Sequence, residues 1–178
     1  MLRVFAFDRL GVVLADLYFQ DPRPEPGQEG AERGVRVELR WMEAGEPRGS
    51  IYAARPIALG DPIWRVDLLE SVDGPPGSFD RAHHHPRFTD WEPGRRRFVP
   101  ELSADPVGWF AERLGDLATV LAEAGVDPAE VGPHDVEEIR AAVPEIVAGL
   151  RDLLDGVHQG RLARPLADAG EATRLSWL

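Results

Sequence analysis

The stretch VRVELRW, residues 35–41, decides the fold of this chain. Val35, Val37, Leu39 and Trp41 alternate with charged residues. Because successive side chains of a strand point to opposite faces, this period of two predicts a strand with one apolar and one charged face. Such a strand requires neighbouring strands and a second layer that covers its apolar face.

Further strand-like runs lie on both sides of this stretch. Leu2 to Phe7 and Val12 to Phe19 come before it, and Ser50 to Ile57 and Ile63 to Glu70 follow after turns at 44–49 and 60–62. Turns every 8–12 residues favour an antiparallel meander of about four or five strands. Its polar face is predicted to carry Arg36, Glu38, Arg40, Arg65 and Asp67.

The period of the apolar residues becomes helical from Ser103 onward. A helix is predicted to start at Asp105-Pro106 and to end at Gly125. A second amphipathic helix is predicted over 134–160, and Pro144 is expected to kink or divide it. The apolar face of the first helix consists of Phe110, Leu114, Leu117 and Leu121.

These patterns predict an α+β fold in one domain, residues 1–178. An N-terminal antiparallel sheet of about four or five strands would be packed by two or three C-terminal helices. Residues 1–72 are predicted to be mainly β, 73–102 to form a loop rich in histidine and arginine, 103–160 to be helical and 161–178 to form a tail.

Composition excludes several kinds of chemistry. The 178 residues contain no cysteine, lysine or asparagine, which excludes disulfides, thiol catalysis, a lysine nucleophile and a phosphate-binding loop that ends in lysine. No apolar run approaches the ~20 residues of a membrane span, and the N-terminus lacks the pattern of a signal peptide. We therefore expect a cytoplasmic protein without a membrane segment.

The net charge of −11 is unevenly distributed. Residues 1–60 carry 9 acidic and 8 basic side chains, and residues 61–100 carry 7 and 6. Residues 101–178 carry 15 acidic and 6 basic side chains. The helical half is thus predicted to have the acidic surface. Net acidity disfavours nucleic acid as a partner, although the balanced first half does not exclude it.

Three consecutive histidines, His83, His84 and His85, are the main candidate for function. In an extended segment His83 and His85 would share a face, with His84 on the other. The first and third could act as an acid and base pair, or could bind a divalent transition metal together with Asp80. The alternative is that their rings only hold the loop through hydrogen bonds to the backbone.

Asp67 lies on the last predicted strand before the histidines. Its carboxylate could orient His83 or His85, or act as a catalytic base itself. The alternative is an ion pair with Arg36 or Arg40 across the sheet.

Arg81, Arg87 and Trp91 flank the histidines and are the predicted substrate-binding residues. Guanidinium groups suit phosphate or carboxylate, and an indole offers a stacking surface. The alternative is that these arginines pair with the acidic C-terminal helices.

Several short motifs in and after the histidine-rich stretch resemble those of other proteins. The runs HHHP (83–86), WEP (91–93), RF (97–98) and DP (105–106) followed by Trp109 resemble a group of uncharacterised bacterial proteins over about residues 61–125. No activity is attached to that group, so the resemblance implies only that this stretch is a unit. A sheet that leads into a histidine-rich loop is also similar in architecture to small RNase-like toxins of toxin–antitoxin modules.

The leading functional prediction is a hydrolase or phosphodiesterase-like enzyme that acts on a small anionic substrate through His83, His85 and Asp67. One alternative is a non-catalytic module whose acidic helices bind a protein partner, and another is an RNase-like toxin–antitoxin component. Burial of both histidines with their rings bonded to backbone carbonyls would indicate a structural role.

Overall fold

The computed structural model describes residues 1–24 and 26–165. A five-stranded antiparallel sheet comes first, with its strands side by side in chain order. The α+β prediction is therefore confirmed, because three C-terminal helices of eight residues or more follow this sheet. The strands are β1 (Leu2–Ala6), β2 (Leu10–Gln20), β3 (Ala31–Ala44), β4 (Ile57–Ser71) and β5 (His83–His85).

The alternating stretch at 35–41 lies at the centre of the sheet, in β3. Val37 is opposite Val66 of β4, and Leu39 is opposite Trp64. These four side chains are at most 1% exposed, so the apolar face predicted from the period of two is the face that the helices cover.

Within residues 1–24 and 26–165, the helical layer contains four helices and one 3-10 turn at Pro128–Glu130. Trp64 of the sheet packs against the rings of Trp109 and Phe110, with centroids 6.2 and 6.4 Å apart. Burial of such rings is the main force that holds the two layers together. The helices are α1 (Pro100–Ala104), α2 (Pro106–Gly115), α3 (Leu117–Ala124) and α4 (Asp135–His158).

One strand prediction and one turn prediction in the middle of the chain are wrong. Residues 45–56 form an irregular connection without a strand, and Ile51 and Tyr52 are about 90% exposed there. An apolar run without a neighbouring strand cannot complete its backbone hydrogen bonds as a ladder. The predicted turn at 60–62 lies within β4, where the register with β3 shifts around Arg40. A β-bulge thus replaces a chain reversal.

The prediction for the first helix also differs from the structure. The first predicted helix is divided into α2 and α3 at Asp116, although it does end at Gly125, which has a φ of +81°. Pro144 does not divide α4. It is exposed, so the helix carbonyl that it leaves without an amide partner can be hydrated.

The predicted histidine-rich loop contains regular structure. Besides β5 it holds a two-stranded hairpin, β6 (Phe88–Thr89) and β7 (Glu92–Pro93). Residues 166–178, most of the predicted tail, lie outside the described residues. Among the described helices, none is both long and apolar enough to cross a membrane.

Candidate functional site

The three histidines form β5, the last strand of the sheet. His83 is opposite Asp67 of β4, and His85 is opposite Arg65. Alternation places these four side chains on the polar face, away from the helices, whereas the ring of His84 lies on the helical side, 5.1 Å from the Trp109 ring. The three histidines are 1%, 5% and 3% exposed. The shared face of His83 and His85 is confirmed, but these residues form a strand where a loop was predicted.

Asp67 is the centre of a buried charge network. Arg36 donates from Nε and Nη2 to its two carboxylate oxygens at 2.8 and 3.3 Å. The Nε of Arg65 lies 3.1 Å from Oδ2. Burial alone would raise the pKa of Asp67, but the positive charges of Arg36 and Arg65 outweigh that effect and hold the pKa well below its usual range. Asp67 is therefore ionised near neutral pH, and the predicted ion pair with Arg36 exists.

Both rings on the polar face are anchored through Nδ1. His83 Nδ1 lies 2.8 Å from the carbonyl oxygen of Arg81, and His85 Nδ1 lies 2.6 Å from that of Gly94. A carbonyl can only accept, so we assign the proton of each ring to Nδ1. The Nε2 atoms then face Asp67 Oδ2, at 3.3 Å for His83 and 3.8 Å for His85. Such anchoring is also how proteins orient histidines that bind metals.

Two of the three histidines are held neutral near pH 7. Burial lowers the pKa of His85 to about 4, and the nearby charge of Arg65 acts in the same direction. Burial likewise lowers the pKa of His84 to about 4, helped by Arg113. The Nη2 of Arg65 lies 2.9 Å from His85 Nε2 and can donate to it. His85 is thus already a hydrogen-bond acceptor.

The segment after β5 covers the polar face. Its backbone pairs with β5, because His84 and Arg97 exchange two hydrogen bonds of 3.0 and 2.9 Å. Alternation then places Arg96 and Phe98 beside the histidines. Arg96 donates to Gln28 at 2.8 Å and lies 3.4 Å from Glu32, and the Phe98 ring centroid lies 5.5 Å from that of His83.

A cleft opens between this segment and the β2–β3 connection. Its volume is about 500 Å³. A larger cleft of about 580 Å³ lies elsewhere on the molecule, but it has no histidine and balances two arginines against two acids. The cleft beside β5 is lined by Asp21, Gln28, His85, Gly94, Arg95, Arg96 and Phe98.

The other predicted site residues lie apart from the paired histidines. The Asp80 carboxylate accepts hydrogen bonds from Ser71 N and Ser78 Oγ, both at 2.9 Å. The carboxylate that lies close enough to His83 and His85 to share a metal ion with them is that of Asp67, not that of Asp80. The difference arises because β5 pairs with β4, which brings a residue distant in sequence closer than its own neighbour.

The three predicted substrate-binding residues contact other parts of the chain. Arg81 donates to the carbonyl oxygens of Gly27 and Glu29 at 2.5 and 3.3 Å. Arg87 donates to the carbonyl of Glu123 at 2.5 Å in the helical layer. Trp91 is 59% exposed and lies under the guanidinium of Arg40.

Sequence reasoning missed the contributions of Arg65, Gly94 and Phe98 to this site. The period of two had already placed Arg65 on the polar face with Asp67. No sequence pattern signalled that residues 94–98 return to pair with β5. The chain matches no protein-family model, no curated protein and no solved structure at a significant level.

Proposed function

We propose that the cleft beside β5 binds a small anionic ligand, with a phosphate ester as the favoured class. The observation that carries the proposal is the charge of the cleft. Its lining has two arginines against one aspartate, in a protein of net charge −11. A positive site on an acidic molecule is a selective feature, since the surrounding field repels anions.

The two arginines differ in how they are held. A hydrogen bond to Gln28 and an ion pair with the buried Glu32 fix Arg96, so its guanidinium is held in one place beside the cleft. Arg95 is exposed and makes no hydrogen bond or ion pair within the described part of the chain, so it is free to close on a ligand. Phe98, 49% exposed, adds an apolar surface for an organic group. These features suit an ester better than an inorganic ion.

Hydrolysis of the bound ester, as by a phosphodiesterase, is the second candidate. It is favoured by the place of His85 in the cleft lining. However, both ring nitrogens of His85 have partners, and a pKa of about 4 makes it a weak base near neutral pH. His83 and His85 are both buried with their Nδ1 atoms bonded to backbone carbonyls, which is the arrangement expected of structural histidines. The geometry thus supports binding more strongly than proton transfer.

Titration calorimetry with bis(p-nitrophenyl) phosphate tests the binding proposal. Arg95→Gln should weaken binding about tenfold, a loss of about 1.4 kcal/mol, because it removes a charge-assisted hydrogen bond to the ligand. Arg95 has no structural role, so the fold should not change. Arg151→Gln, on the exposed surface of α4, is the matched control and should have no effect. Equal binding by both variants, or no binding by the wild type, would contradict the proposal.

Release of p-nitrophenolate in the same samples tests the hydrolase candidate separately. A protein that binds the ester without cleaving it supports the binding role alone. Absence of binding would favour the alternatives of an acidic module for a protein partner and an RNase-like toxin–antitoxin component. We also propose a cytoplasmic location, in keeping with a chain that has no cysteine.

A further inference from the structure

We propose that Asp67, His83 and His85 form a binding site for a divalent transition metal, and that the guanidinium of Arg65 competes with the metal for that site. The site lies beneath the cleft, and its existence does not depend on the anionic ligand. Arg65 would then be an internal substitute for the ion.

The ligand atoms are already gathered. One atom from each of the three residues lies within 4.8 Å of the other two, and all three residues are buried. The Nδ1–carbonyl contacts leave both Nε2 lone pairs directed at the carboxylate side. Two imidazoles and one carboxylate suit zinc, iron, cobalt or nickel, which leave further positions open to water or substrate.

His83 supplies an independent observation. Its Nε2 is buried and has no hydrogen-bond partner among the described residues. Nε2 lies 3.3 Å from Asp67 Oδ2 without a hydrogen bond between the two atoms. A cation bound between these atoms gives the buried nitrogen a partner.

Charge explains why Arg65 must leave for a metal to bind. Arg36 and Arg65 already compensate the single carboxylate, so a divalent ion would add to an existing positive excess. Arg65 contacts the same atoms that the metal needs, with Nη2 2.9 Å from His85 Nε2 and Nε 3.1 Å from Asp67 Oδ2. Its side chain is 12% exposed, and its guanidinium lies over the Phe88 ring, 5.7 Å from the ring centroid.

This competition predicts that removing an arginine tightens cation binding. Tag-free protein is titrated with Co²⁺, and binding is followed by calorimetry and by the visible absorption of the ion, with no anionic ligand present. Arg65→Leu should bind Co²⁺ at least tenfold more tightly than the wild type. Arg40→Leu is the matched control, because it also removes a buried arginine from the polar face. Arg40 contacts Glu38 and the carbonyl of Gly60 rather than the proposed ligands, so the affinity for Co²⁺ should change little.

Adjacent histidines provide a second control. In the Arg65→Leu background, His83→Ala should abolish Co²⁺ binding, and His84→Ala should preserve it, because His84 lies on the other face of β5. If Arg65→Leu fails to fold, the wild type is titrated with excess Zn²⁺, and the histidine ring resonances are recorded by NMR. Those of His83 and His85 should shift, and those of His84 should not.

Three results would overturn the proposal. They are an Arg65→Leu protein that binds Co²⁺ no more tightly than the wild type, equal losses from His83→Ala and His84→Ala, and wild-type histidine resonances that do not respond to Zn²⁺. None of them bears on anion binding by Arg95, so failure of the metal site and failure of the cleft are distinguishable.

Discussion

Asp67 is the residue on which the polar face depends. It is the only carboxylate that both Arg36 and Arg65 contact in the described structure, and it is 1% exposed. A buried charge is costly without its partner, so two cations rely on this one side chain. Its position was predictable from the period of two in β4, together with the prediction that it faces Arg36.

Asp67→Asn should lower the free energy of unfolding by about 3–5 kcal/mol, because it leaves two guanidinium groups buried without a counter-charge. Urea denaturation followed by circular dichroism measures the change. Asp80→Asn is the matched control: its side chain is 42% exposed, so the same substitution should cost about 1 kcal/mol. Similar losses from the two variants would show that the charge network is not what stabilises this face.

The contacts of the arginines near the histidines could not be predicted from the sequence. Arg81 and Arg87 are close to β5 in the chain, but their guanidinium groups reach backbone carbonyls of the 21–30 connection and of α3. Local sequence gives proximity along the chain, whereas hydrogen-bond partners depend on which distant segment packs nearby.

Among the elements, β3 and β4 carry the sheet and position the site. Their pairing is close at Gly34, where an added Cβ would lie 2.0 Å from the carbonyl oxygen of Leu68. Because that atom belongs to the backbone of a central strand, it cannot move aside as a flexible side chain could.

Gly34→Ala should therefore destabilise the protein by about 3 kcal/mol, measured as a fall in the midpoint of urea denaturation. Gly115→Ala is the control, since nothing lies within 4 Å of its added Cβ, and should change stability by no more than about 1 kcal/mol. A Gly34→Ala protein as stable as the wild type would contradict the close pairing of these strands.

The elements with a strong period were predictable, and the short irregular ones were not. Seven alternating residues predicted β3. β5 has only three residues, which are too few to show a period. It is a strand because β4 and Arg97 complete its hydrogen bonds on both sides. Residues 50–56 do not form a strand, although their composition is suitable, because no strand in the described part of the chain pairs with them.

Across the whole molecule, charge is arranged in layers. The apolar core lies between the sheet and the helices, and the opposite face of the sheet holds buried ion pairs under residues 94–98. Because His84 and His85 are buried and held neutral, the free energy of unfolding depends on pH.

Stability should fall as the pH drops from about 6.5 to about 4. The folded pKa of His84 and of His85 is about 4 against 6.5 for a free ring, so in this window the unfolded chain takes up protons that the folded chain refuses. The loss is about 3 kcal/mol at most for each ring. Burial raises the pKa of Glu32, which opposes this trend. The stability that the low pKa of Asp67 provides is lost only as the pH falls through about 3.8 and below.

Urea denaturation at pH 7.5 and pH 5 measures the effect. The His84→Gln and His85→Gln proteins should each lose less stability than the wild type over that interval, because glutamine does not titrate. Equal pH dependence in all three proteins would argue that these rings are not held neutral.

Anion binding at the cleft is tested most directly by NMR of arginine and histidine side chains during titration with bis(p-nitrophenyl) phosphate. The resonances of Arg95, Arg96 and His85 should shift together along one saturable curve, and those of Arg151 and His84 should stay in place. Shifts that are absent, or that are spread evenly over all five side chains, would contradict binding at this cleft.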